Sequence, residues 1–486
     1  MSLLSLIIAV PIAGALLILA VPNSKTRTVQ GLALVTSLAA LALSGYLCYM
    51  FDMVTPAMQF VEKFAWIPGF NINYFVGVDG LAVTMVILTA FISVVAIIYS
   101  FNITVRVKEF FFWFLILEAA MLGVFLALDF FLFYVFWELT LVPMYFLIGI
   151  WGGPKKEYAA IKFFLFTLFG SLFMLLGMLA LYFNSTPHTF DMLELARQSV
   201  AFPLRFQILV FLALYVGFAV KIPAFPFHTW LPLAHVEAPT GVSVILASIM
   251  LKMGIYGLLR VSFPVLPQAT KWFIPILVVI AVINIVYGAF CAMAQKDLKK
   301  MVAYSSINHM GYCMLGLAAM SSIGFNGAVL QMITHGLITG ALFLLVGVIY
   351  DRAHTRDIGA FGGLGAKMPV YTGLMVMMAM ASLGLPGLAG FVSEFLCFLG
   401  GFKAWPYHTA VATLGILVTA AFFLRMIEKV FLGPLNQKWA DLKDMSAREL
   451  IAIVPLAVLT LVIGIWPRFC LDFINPTISF LADALR

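Results

Sequence analysis

From Ala238 to Leu259 the sequence reads APTGVSVILASIMLKMGIYGLL, and every residue is uncharged except Lys252 near the middle. At about 1.5 Å per residue, a helix of this length crosses the ~30 Å hydrocarbon core of a bilayer. Inside that core each backbone N–H and C=O needs a partner within the protein, so a run like this folds as a helix. The same fold strands an ammonium at membrane depth, which costs roughly 2.5–3.5 kcal/mol on insertion scales. Glu138, Lys221 and Glu394 interrupt other apolar runs in the same way. Several ionisable groups at this depth point to the movement of ions.

The rest of the chain fits that frame. It is 64% hydrophobic and only 10% charged, where soluble domains carry about 25% charge. It therefore reads as an all-α polytopic membrane protein. A net charge of +7 would suggest nucleic-acid binding in a soluble protein. Here it reads as topology, because Lys and Arg collect in cytoplasmic loops. The first run, Leu3 to Val21, is long enough to remain as a helix rather than be cleaved as a leader. The cysteines at 48, 291, 313, 397 and 470 show no CxxC, zinc or iron–sulfur spacing and read as packing residues.

Fourteen spanning segments are expected, beginning at 3–22 and ending at 449–467, with the tail 468–486 at the interface. The odd-numbered loops between them hold fifteen lysines and arginines, the even-numbered six. That bias places odd loops in the cytoplasm and both termini outside. Two segments are broken. The seventh, 205–232, carries Pro223, Pro226 and Pro232; the twelfth, 370–402, carries Gly384, Pro386, Gly387 and Gly390. Proline removes a backbone donor and clashes with the preceding turn. Broken helices at corresponding positions suggest inverted repeats, and these two lie five segments apart. The expected organisation is three N-terminal helices (1–109), a first five-helix repeat (110–262), a second (263–431), and a C-terminal helix with tail (432–486).

The ionisable groups in these segments are the candidate site. Glu138 is the lone charge in FYVFWELTLVPMYFLIGIW, and Pro143 should kink the helix beside it. Lys221 precedes the first break and Glu394 follows the second. Burial disfavours the charged form of each, and a neighbouring opposite charge restores it. Such groups change protonation state when a nearby charge moves. Lys252 is too far from either helix end to snorkel. His309 and His335, on adjacent segments, add groups suited to proton relay; helix packing and bis-His haem ligation are the rival readings. Glu118 is a further intramembrane acid. Lys162 reads equally as a relay group or a snorkelling lysine. His228, His235 and Glu237 flank the first break without metal-site spacing and would line a water path; no metal is expected.

At these residues the chain resembles the antiporter-like membrane subunits of respiratory complex I, NADH-quinone oxidoreductase, and most closely their M-type branch (subunit 4 in mitochondria). The motifs are FLALDFFLFYVFWELTLVPMYFLIGIWGG, AVKIPAFPFHTWLP, AHVEAPTGVSVILASIMLKMGIYGLLR, KKMVAYSSINHMGY and GLPGLAGFVSEF, which fall within residues 110–400. The resemblance implies that Glu138 pairs with Lys221, that Lys252 is the central relay, and that His309 and His335 lead to Glu394 near the exit. The related L and N subunits and the multisubunit sodium/proton antiporters usually carry Lys at the position of Glu394. One departure is Leu233, where the family often has Asp; this leaves the route of proton intake open.

The implied function is proton translocation within NADH:quinone oxidoreductase, driven by quinone chemistry in other subunits. Alternatives are a subunit of a cation/proton antiporter or of a membrane-bound hydrogenase. No cofactor is expected on this chain; quinone, flavin and iron–sulfur clusters belong to partners. Those partners would be the other membrane subunits, two of them antiporter-like, the peripheral redox arm indirectly, and lipids, with no nucleic acid. The expected location is the bacterial inner membrane.

Overall fold

The computed structural model describes residues 2–485. Twelve of its helices are long and apolar enough to cross a membrane. The tenth and twelfth expected segments account for the other two. Leu298–Ala318 is a helix of 21 residues whose serines, asparagine and histidine dilute its apolar character. The twelfth is split into Pro369–Ser382 and Ala389–Ala404.

Both breaks fall where the prolines and glycines put them. The seventh span is helical over Leu204–Lys221 and unwinds before a short helix, Leu231–Glu237. Freed backbone groups in a membrane need partners, and Asn284 of the ninth span (Pro267–Met293) supplies two. Its Oδ1 accepts from the Phe225 amide at 2.8 Å and its Nδ2 donates to the Pro223 carbonyl at 3.2 Å. In the twelfth span the chain turns at Gly384 (φ +82°) and Gly387 (φ +91°), a backbone region that favours glycine.

The two halves are joined in the same way. Asp129 caps the fifth span and forms a bridge with Asp191; Asp297 caps the tenth and forms a bridge with Asp357. The amides of Phe130 and Met192 donate to the carbonyls of Phe190 and Leu128, and those of Leu298 and Ile358 to Arg356 and Lys296. The first joint lies at even loops and the second at odd loops. An odd number of spans per repeat places equivalent joints on opposite sides of the membrane, as inverted repeats require.

Three elements escaped the sequence reading. Gln59–Ile67 and Ile72–Val78 pair as an antiparallel hairpin between the second and third spans. Its Glu62 accepts from the Leu4 amide at 2.9 Å, which places a carboxylate at the N-terminus of the first helix, where the dipole favours it. Met192–Arg197 is a short helix. The tail forms a helix, Arg468–Ala484, whose Thr477 hydroxyl accepts from the Gly80 amide at 3.0 Å.

The spans are not equally buried. The eighth (Thr240–Val265) and eleventh (Ser322–Ala353) are enclosed along their whole apolar windows, while the first and second are mostly open to the side. Lys252 and His335 ride on the two central helices. The eighth span runs to Val265, so Arg260, one of the six even-loop charges, is inside the helix and buried. Lys299, one of the fifteen odd-loop charges, is likewise buried. Removing both leaves the loop bias intact at fourteen to five. Arg260 donates to Asp79 at 2.5 Å and to the Tyr256 hydroxyl at 3.1 Å. Asp79 in turn caps the third span, Gly80–Tyr99, by accepting from Ala82. Asp79→Asn keeps the cap but removes the charge opposite Arg260, and should cost about 1.5–3 kcal/mol. A lower unfolding midpoint in mild detergent would show it; an unchanged midpoint would mean the pair contributes nothing.

Candidate functional site

Lys252 lies between two widened π turns, Leu246–Met250 and Leu258–Ser262, a distortion that often marks functional positions. It is fully buried. Its Nζ donates to the Ala247 carbonyl at 2.5 Å and meets His335 Nδ1 at 2.7 Å. The His335 and His309 rings are 5.4 Å apart, centre to centre. His309 Nδ1 is 3.2 Å from Glu394 Oε1, and its Nε2 is 3.0 Å from the Ser382 hydroxyl. A cavity of about 10 Å³ lies among these groups, closed by Gln331 and Gly390. That is the room one water needs. Lys252, His335, His309 and Glu394 thus form one row from the centre of the molecule to the second break. Chain order put His309 first; the fold reverses the two histidines.

The break itself shapes the far end. Ser382 ends the first half-helix and faces His309. A Cβ added at Gly384 would come within 3.0 Å of Glu394 Oε2, so the turn brings bare backbone up to the carboxylate. His335 Nδ1 and both ring nitrogens of His309 have polar neighbours, while His335 Nε2 has no hydrogen-bond partner among the described residues.

A second cluster holds Glu138 and Lys221. The fifth span (Phe130–Trp151) is interrupted at Thr140, three residues before Pro143. The Thr140 hydroxyl accepts from Lys221 Nζ at 3.0 Å, and the same ammonium stands 5.1 Å from the centre of the Trp137 ring. Glu138 is within electrostatic reach of Lys221, with Tyr134 and Ser171 beside its carboxylate. Lys221 is buried, but Glu138 is only part-buried. Its Oε1 is nevertheless buried and has no hydrogen-bond partner among the described residues. The clusters meet through close helix packing. A Cβ on Gly254 would lie 2.6 Å from the Phe218 carbonyl oxygen, so this glycine lets the eighth span approach the seventh.

The supporting residues divide. Glu118 is fully buried and accepts from the Ser37 hydroxyl at 2.9 Å. It packs toward the N-terminal helices, and the structure does not bring it to either cluster. Lys162 is part-buried, 5.7 Å from the centre of the Phe166 ring, and within electrostatic reach of His228. His228 is buried at the first break, against Phe225 and Tyr287. His235 is fully buried, stacked on Phe343 at 4.4 Å, and within electrostatic reach of Lys252. Thr140, Ser171, Ser382 and Lys299 were missed. Hydroxyls give no signal in a hydropathy pattern, although Thr140 and Ser382 do sit beside a proline and a break. Among the described residues, no three His, Cys, Asp or Glu side chains gather as a metal site.

The fold and this row define a class: polytopic helical membrane proteins that carry ionisable groups across the middle of the bilayer. A family profile described as NADH:quinone oxidoreductase/Mrp antiporter, transmembrane, matches residues 127–419. The chain belongs to that family. It is 43% identical to NADH-quinone oxidoreductase subunit M of Rhodobacter capsulatus, across 99% of this chain and 96% of that protein. A chain of respiratory complex I from Thermus thermophilus, solved with bound NADH, superposes with a TM-score of 0.90 at 30% identity, covering 99% and 100% of the two chains. A chain of the Mrp complex from Dietzia shares the fold, with a TM-score of 0.88 at 20% identity, covering 99% and 97%.

Proposed function

We propose that this chain is a proton-translocating membrane subunit of NADH:quinone oxidoreductase. The observation that carries the reading is the row Lys252–His335–His309–Glu394, which starts on the two most enclosed spans. Full-length identity to M-type relatives supports it, as does Glu394 at a position where the resemblance sets M-type chains apart. Glu138 and Lys221 act as a switch. While they attract each other, the ammonium at Lys221 is held in place. When they part, the charge beside the seventh span changes and so does the proton affinity of Lys252. A proton leaving Lys252 passes to His335, then His309, and reaches Glu394. Ser382 orients the His309 ring.

The redox step lies elsewhere. Electron carriers and quinone belong to partner subunits, and this chain supplies the enzyme's membrane pathway. Its neighbours include related antiporter-like subunits. A carboxylate at membrane depth is costly against lipid, so what remains exposed of the part-buried Glu138 is read as covered by a neighbouring protein. We place the chain in the bacterial inner membrane with both termini outside, on the loop-charge bias. We divide it at 1–109, 110–262, 263–431 and 432–486, with the matched aspartate joints in support. His335→Leu in the assembled complex tests the row. It should lower protons moved per quinone reduced, with the complex still co-purifying. An unchanged ratio would refute the row.

A further inference from the structure

In the proposed relay Glu394 is the last group, and Lys252 needs a supply of protons. We infer that protons reach Lys252 from the odd-loop side through a polar vestibule whose inner wall is Lys299, with His235 as the step between the two lysines. This rests on the relay reading above.

The vestibule is a cavity of about 270 Å³ whose walls include Asn102, Gly153, Glu237, Lys299, Asp351 and Arg356. They lie at or beside the third, fifth, seventh, ninth and eleventh loops, all on one side of the membrane. Of its charged lining residues, Lys299 is the most buried, only 5% exposed. Glu237, Asp297, Asp351 and Arg356 all act on it electrostatically, yet each is engaged elsewhere. Asp297 pairs with Arg356 at 3.1 Å, Glu237 accepts from the Lys155 amide at 2.9 Å, and Asp351 accepts from Tyr99 at 3.2 Å and Asn102 at 3.1 Å. Lys299 makes no salt bridge among the described residues. Its Nζ donates instead to the Ala238 carbonyl at 2.5 Å. A neutral acceptor holds an ammonium more weakly than a carboxylate does, so this lysine is free to give up a proton.

His235 is on the short helix Leu231–Glu237 that ends at Ala238, the acceptor of Lys299, and does not itself line the cavity. Both its ring nitrogens are buried without a hydrogen-bond partner among the described residues. An imidazole left so costs stability, and stacking on Phe343 fixes its plane. It lies within electrostatic reach of both Lys299 and Lys252. Leu233, two residues earlier, offers no group that carries a proton. The balance is simple. Lys299 ammonium gives a proton to neutral His235, and the imidazolium passes it to the Lys252 amine. The Lys299 amine then takes a proton from vestibule water. Only N–H and O–H bonds break and form.

The test uses the whole complex in proteoliposomes, with assembly checked by co-purification. Protons moved per quinone reduced are read across pH for Lys299→His, Lys299→Arg, Lys299→Gln and His235→Phe. A relay needs a group that releases its proton, and arginine does not. Lys299→Arg, Lys299→Gln and His235→Phe should each lose about tenfold or more. Lys299→His should keep pumping with its pH optimum moved down, toward the lower pKa of imidazole. Full activity in Lys299→Arg would show that a fixed charge is enough and would overturn the inference; so would an unchanged ratio in His235→Phe. Lys252→Met separates the two levels. If it pumps normally, the relay reading itself fails. If it does not pump while Lys299→Gln does, only the intake route fails.

Discussion

Lys252→Met should stop proton translocation by the assembled complex while leaving the chain folded. Methionine fills nearly the same space without a charge. Removing a buried ammonium relieves a cost of roughly 2.5–3.5 kcal/mol, against which the hydrogen bonds to Ala247 and His335 are lost. Stability should therefore hold. Function should not, because a positioned proton carrier is worth about 10²–10⁴ in rate. Lys252→Arg should fail as well, since guanidinium keeps its proton. Proton uptake by proteoliposomes, read beside the unfolding midpoint, separates the two effects. Normal pumping by either variant would remove Lys252 from the pathway.

Glu138→Gln should have an effect of similar size for a different reason. It keeps the shape and hydrogen-bonding capacity beside Ser171 and Tyr134 but removes the charge facing Lys221. The Lys221 ammonium then rests on the Thr140 hydroxyl and the Trp137 ring alone. A switch made of two charges works as a unit, so the variants should not add. Glu138→Gln, Lys221→Met and the double variant should each lose about 10²-fold in coupled pumping. If the losses multiply in the double variant, the two residues act independently and the switch is wrong.

Much of this was legible before the fold was known, and the reason differs from residue to residue. Lys252 and Glu394 stood out because lipid tolerates so few charges that each one in an apolar run is a signal. Proline and glycine marked both breaks because their backbone limits are local. Arg260 and Lys299 read as loop charges because a charge near the end of an apolar run does not reveal whether it is solvated or buried against a partner in the fold. Thr140 and Ser382 carry no charge and so gave no warning. The hairpin at 59–78 gives little signal because polar and apolar residues do not alternate along its first strand, QFVEKFAWI.

Chain composition alone determined that this protein is a membrane bundle with several ionisable groups stranded at mid-depth, since water and hydrocarbon sort side chains without regard to neighbours. Which of those groups touch was decided by tertiary packing. His335 reaches Lys252 before His309 does, Glu118 turns toward the N-terminal helices, and Glu138 is left only part-buried. Contacts between helices depend on rotation and crossing geometry set by residues far apart in the chain, and no local pattern encodes those.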